Sequence, residues 1–138
     1  QRAGIADRDT VLVFSNSGVN PYPVEIAERA RDVGATVIAM TSRASSALAP
    51  KRARHRLYEL ADIVLDTAVP TGDVTWPPHA PATAPASTLL TTALWTAILR
   101  QIDSLDSDVP RWTSANVPGG DELNAALVER YAPRIPEL

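Results

Sequence analysis

Three short apolar runs set the rhythm of this chain. Thr10–Phe14 (TVLVF), Ala35–Met40 (ATVIAM) and Asp62–Asp66 (DIVLD) are rich in Val and Ile and barely interrupted by polar side chains. Continuous runs, as opposed to apolar–polar alternation, mark strands with helices over both faces, as in a parallel sheet. Between the first two, Val24, Ala27, Ala30 and Val33 recur at helical spacing, with Glu25, Glu28, Arg29 and Arg31 on the other side. Pro21 and Pro23 suit the first turn of that helix, where backbone amides lack intrahelical partners, and Gly34 suits its end. The pattern predicts a helix near residues 23–33. After the second run, RASSALAPKRARH reads as a polar, basic connection and RLYELA as a short helix. The order strand, helix, strand, short helix, strand predicts an α/β fold, with residues 10–14, 35–40 and 62–66 as adjacent parallel strands joined by right-handed crossovers.

Beyond the third run the pattern loosens. Residues 68–86 are proline-rich, which excludes a regular helix or a central strand and predicts a long loop. Ser87 then caps a helix whose Leu90, Ala93, Leu94, Ala97 and Ile98 form one apolar stripe. Trp95 lies beside that stripe, where it can anchor a subunit contact; Trp76 and Trp112 read as pins for their loops. A short helix is predicted from about Asp121 to Tyr131. With 138 residues, the chain is expected to be a single domain over 1–138.

Composition narrows the function more than the fold. The net charge of -3 argues against a nucleic-acid partner, while leaving room for a small anion that needs only local donors. No cysteine is present, so thiolate chemistry is excluded and a cytoplasmic location is the expectation. No apolar run approaches the ~20 residues that span a bilayer, so no membrane partner is expected. His55 and His79 are isolated, which is no metal signature, and no motif calls for a cofactor.

The chemistry concentrates where the first strand stops. Ser15-Asn16-Ser17-Gly18 follows Phe14 directly, and Thr41-Ser42 follows the second strand. In an open parallel sheet ligands bind at the carboxyl ends of the strands, so both hydroxyl clusters are expected at one crevice. Gly18 permits close backbone approach, and the following helix points its positive end there. Hydroxyls, amides and a helix start together suit a phosphate. Ser and Asn also serve ordinary turns by satisfying backbone groups, and that reading stands beside the functional one. The loop matches neither a Walker loop, nor G-x-G-x-x-G, nor G-x-S-x-G.

The succession of a strand, Ser-x-Ser-Gly-x-Asn, a helix, then GATVIAMTS and ADIVLD resembles the SIS (sugar isomerase) domain. SNSGVNPYPVEIAERA, ADIVLDTAVPTGD and SANVPGGDELN together look like an uncharacterised single-SIS-domain branch of phosphosugar isomerase type. The resemblance implies a three-layer αβα fold with a parallel sheet of flavodoxin-type winding, incomplete at the N-terminus, so that this chain would be the C-terminal part of such a protein. It implies that Ser15, Asn16, Ser17 and Asn20 contact a phosphate, with Gly18 giving backbone access and Asn20 where the family more often has Thr or Ser; Thr41 and Ser42, from their place at the same crevice, are expected to bind substrate. The implied ligand is a phosphorylated sugar or amino sugar, and the implied assembly a homodimer or higher oligomer. Two functions stay open: an aldose–ketose phosphosugar isomerase, or a non-catalytic phosphosugar sensor or regulatory binding module.

An isomerase needs a base that moves a proton between adjacent carbons. Glu25, one turn into the helix after the loop, is a candidate, against the plainer reading of a solvated Glu near a helix start. The others are His55, in the basic connection, against the plainer reading of a basic surface, and His79, in the proline-rich loop, which reads equally as a lid or as a passive connector; Asp73 reads as exposed. The family usually carries its base as a Glu on a helix after the sheet, but here the helix from Thr88 has no carboxylate until Asp103.

Overall fold

The computed structural model describes residues 4–135. Strands β1 (Thr10–Phe14), β2 (Thr36–Thr41) and β3 (Ile63–Asp66) form one sheet in the order β1-β2-β3, parallel throughout. Thr10 pairs with Thr36 and Ile38 with Ile63. The expected α/β fold, with these three runs as adjacent parallel strands, is the one observed.

Helix α1 (Pro21–Asp32) crosses from β1 to β2 and begins at the prolines themselves, two residues earlier than the apolar spacing indicates. The Gly34 amide donates to the Arg31 carbonyl, and its φ of +84° ends the helix. The segment read as a polar connection folds in part into α2 (Arg43–Leu48), followed by α3 (Leu57–Leu60). Ser42 starts α2, its Oγ accepting from the Ser45 amide. Arg56 closes the other end by donating from its guanidinium to the Ser46 and Ala49 carbonyls. Two polar residues outside the helix thus do what its sequence alone does not.

Packing on the two faces of the sheet is unequal. Val13, Val37 and Ala39 share one face and are buried, as are Val24, Ala27 and Ala30 of α1, the helix packed against β1 and β2. On the other face Met40 is buried, but Leu12, Ile38 and Leu65 are only half-buried, and Phe14 and Ile63 are 46% and 49% exposed. Burial of both strand faces, expected from the apolar runs, therefore holds for one face within the described residues.

The proline-rich stretch is more ordered than a loop. It forms an antiparallel ribbon of β4 (Val74–Trp76) and β5 (Thr83–Pro85), separate from the parallel sheet. Asp73 precedes it and holds the start of α4 (Ser87–Leu105): its carboxylate accepts from the Ala86 and Ser87 amides and the Ser87 hydroxyl, at 3.1, 2.7 and 2.7 Å. The residue expected to be exposed is half-buried and serves as a helix cap. Trp95 on α4 meets Phe14 edge-on, with ring centroids 6.0 Å apart. No residue of α4 is fully buried.

The chain divides into two compact units, Ala6–Ala97 and a second one described over residues 4–5 and 98–135. In the second, α5 (Gly120–Tyr131) follows Gly119, whose φ is +79°. Asn124 is bonded through both ends of its amide to the Thr113 main chain.

Candidate functional site

The end of β1 is fastened before it turns. The Ser15 amide donates to the Met40 carbonyl at 3.1 Å, one step beyond the paired residues of the strands. The Asn16 carbonyl then accepts from the Ser42 amide and from Thr41 Oγ1, both at 3.0 Å. At Gly18 the chain reverses with φ +59°, the amide donating to Ser15 Oγ and the carbonyl accepting from the Leu57 amide at 2.8 Å. Glycine is required there on two counts. L side chains rarely adopt this φ, and a Cβ would lie 2.9 Å from Thr41 Oγ1 and 3.2 Å from both Leu57 Cβ and Ser46 Oγ.

The loop presents donors of both kinds: among the described residues no hydrogen bond engages the main-chain amides of Asn16, Ser17, Val19 or Asn20. Among the described residues, no hydrogen bond engages the Ser17 hydroxyl, the Asn16 amide nitrogen or the Asn20 side chain, and Ser15 Oγ is engaged only as an acceptor. Asn16 Oδ1 is buried without a donor, so its acceptor end is turned into the protein. Ser15, Asn16 and Ser17 are half-buried, and Asn20 is exposed. The helix start adds less than its position suggests. Pro21 and Pro23 carry no N–H, leaving Tyr22 as the sole amide among the first three helical positions.

Thr41 and Ser42 are fully buried. Thr41 Oγ1 donates to Asn16, and Ser42 Oγ donates to the Val69 carbonyl at 2.7 Å while capping α2. The crevice position expected for these hydroxyls is taken up by main-chain bonds, so they stand behind the loop and hold its shape. Ser46 Oγ and Thr67 Oγ1 are buried beside this region without a partner.

The candidate bases are dispersed. Glu25 is exposed on α1. His55 is half-buried, 3.8 Å from Glu59, and borders a hollow of about 310 Å³ with Glu28, Arg31 and Asp32 from the last turns of α1. His79 is exposed in the turn between β4 and β5. No hydrogen bond joins any of the three to the Ser15–Asn20 loop among the described residues. Asp66, which no sequence motif singles out, also stands here, its Oδ1 accepting from the Arg43 and Ala68 amides at 3.2 and 2.9 Å. Its place at the carboxyl end of β3 was the available signal.

Fold and loop define an open parallel α/β protein with a hydroxyl- and amide-lined turn at a strand's carboxyl end. The family model for the SIS domain matches residues 1–42, which contain β1, this loop, α1 and β2. UPF0309 proteins of Brucella canis and Brucella suis biovar 1 are each 42% identical over 145 aligned positions, and one of Brucella abortus strain S19 is 41% identical. Each alignment covers 99% of this chain and 58% of the relative, so the chain spans rather more than half the length of these proteins. A solved structure described only as a hypothetical protein aligns over 71% of this chain and 51% of its own, at 21% identity and a TM-score of 0.44. The SIS-domain match thus lies in the first third of the chain, and the likeness to UPF0309 proteins runs along nearly all of it. No helix among its described residues is long and apolar enough to cross a membrane.

Proposed function

We propose that this chain is a phosphosugar-binding module, its Ser15–Asn20 loop holding the phosphate of a sugar or amino-sugar phosphate. The observation that carries the reading is the set of uncommitted donors on Ser15, Asn16, Ser17 and Asn20 around the Gly18 reversal, in a segment that the SIS-domain model matches. Phosphate oxygens accept strongly from such groups, and a turn already fastened to β2 and α3 presents them without rearrangement. Thr41 and Ser42 take part as its support. Isomerisation needs a base within hydrogen-bond reach of the substrate. Of the three candidates, Glu25 alone lies on the element that starts at the loop, and it is the residue to which base chemistry is assigned under the isomerase reading.

The test is calorimetry with a hexose 6-phosphate and the unphosphorylated hexose. Ser17→Ala should weaken the phosphate ester about tenfold to a hundredfold, as expected for one hydrogen bond to a charged group of about 1.5–3 kcal/mol, while the fold stays intact. Equal affinity for sugar and ester would show the loop to be an ordinary turn.

Association belongs to the same proposal. The half-open sheet face with Phe14 and Ile63, and the uncovered apolar residues of α4, support a homodimer. Light scattering is expected to give twice the chain mass; a monomer at high concentration would remove this part.

A further inference from the structure

We propose that Arg43, held on the face of Tyr58, is the cationic partner of the phosphate bound by the Ser15–Asn20 loop. This rests on the reading of that loop as a phosphate site. The starting point is a deficit of charge. No Lys or Arg occurs between Asp9 and Glu28, so every donor the loop offers is neutral. A phosphate monoester carries about -1.5 to -2 at neutral pH, and neutral donors alone leave that charge uncompensated. The two prolines of α1 deepen the deficit by removing main-chain donors from the helix start.

Arg43 is placed to fill it. It follows Ser42, whose amide donates to the Asn16 carbonyl, and Tyr58 follows Leu57, whose amide donates to the Gly18 carbonyl. Each is therefore one residue, about 3.8 Å of chain, from a main-chain bond to the loop. The Arg43 guanidinium carbon lies 5.6 Å from the Tyr58 ring centroid. The stacked pair thus joins the two points at which β2 and α3 grip the turn. An aromatic face orients a guanidinium without neutralising it, so the fork keeps its donors for an oxyanion.

Two other arginines of this unit are committed. Arg31 donates to the Leu60 carbonyl and pairs with Asp62 at 3.7 Å, and Arg56 is spent on the Ser46 and Ala49 carbonyls. Arg43 is exposed and has no carboxylate partner among the described residues. Asp66, which meets the Arg43 main chain, is occupied at Oδ1 by the amides of Arg43 and Ala68.

The test titrates the full chain with inorganic phosphate and glucose 6-phosphate, comparing wild type, Ser17→Ala, Arg43→Met, Arg43→Lys and Tyr58→Leu. Arg43→Met is expected to lose about tenfold to a hundredfold in affinity for both probes and to show a flatter dependence on salt. Arg43→Lys should keep part of that affinity, because it retains the charge without the fork, and Tyr58→Leu should shift affinity in the direction of Arg43→Met by a smaller factor. Circular dichroism and thermal unfolding should be unchanged in the Arg43 variants, since the side chain is exposed. Wild-type affinity in Arg43→Met alongside a loss in Ser17→Ala would overturn the assignment of Arg43 and leave the loop standing. A loss in Arg43→Met with none in Ser17→Ala would overturn the pairing, placing the anion away from the loop. Failure of wild type to bind either probe would remove both readings.

Discussion

Gly18→Val is expected to lower the free energy of unfolding by about 2–5 kcal/mol, from the positive φ and from overpacking together, and to abolish phosphate binding by the fraction that still folds. The cause is local and has two parts. The φ of +59° is unfavourable for any L side chain and worst for a β-branched one. The new Cβ would also enter a space walled by Thr41 Oγ1, Leu57 Cβ and Ser46 Oγ, none of them the far end of a flexible side chain. Relief therefore requires the turn to move, and moving it strains the bonds from the Ser42 amide to Asn16 and from the Leu57 amide to Gly18. Urea denaturation gives the first quantity and calorimetry the second. A shift below about 1 kcal/mol with phosphate affinity retained would contradict this account of the turn, being well under the cost of overpacking alone.

Leu57→Ala tests the wall from the opposite side. Leu57 is fully buried and opens α3, so truncation removes apolar contacts and leaves a cavity, at an expected cost of about 2–5 kcal/mol. The loop's anchor is different in kind: it is the Leu57 main-chain amide, which the substitution keeps. Stability should therefore fall strongly, whereas phosphate affinity, measured well below the unfolding transition, should change by less than about tenfold, the step that 1.4 kcal/mol represents. A larger loss of affinity at full foldedness would show that the side chain, and not the main-chain bond, sets the shape of the turn.

These variants also mark where sequence patterns stop being informative. The strands were readable because TVLVF, ATVIAM and DIVLD each need little beyond burial to be strands, and α1 because Val24, Ala27 and Ala30 repeat on one side. Helix α2 was not readable, since RASSAL has no apolar stripe, and its ends are closed by Ser42 and by Arg56, the latter contributed from beyond the helix. The ribbon of β4 and β5 hid behind prolines that a two-stranded edge tolerates and a central strand does not. At the site, Gly18 and the Ser-Asn-Ser turn were legible because backbone reversal demands particular residues. The direction of a hydroxyl was not: Thr41 and Ser42 lie at the expected strand end, but their donors are consumed by carbonyls of Asn16 and Val69, which spacing cannot foresee. Arg43 escaped notice because its value comes from Tyr58, fifteen positions further on.

The fastening of the Ser15–Gly18 turn also bears on the entropy of capture. Fixing a backbone costs about 1–2 kcal/mol per residue, and a loop that orders only around its ligand subtracts that cost from its affinity. Here the Ser15 amide and the Asn16 and Gly18 carbonyls are already tied to Met40, Ser42 and Leu57. The ordering is completed when the sheet and α3 assemble, so under the proposed function a phosphate meets a turn whose main chain has little freedom left to lose.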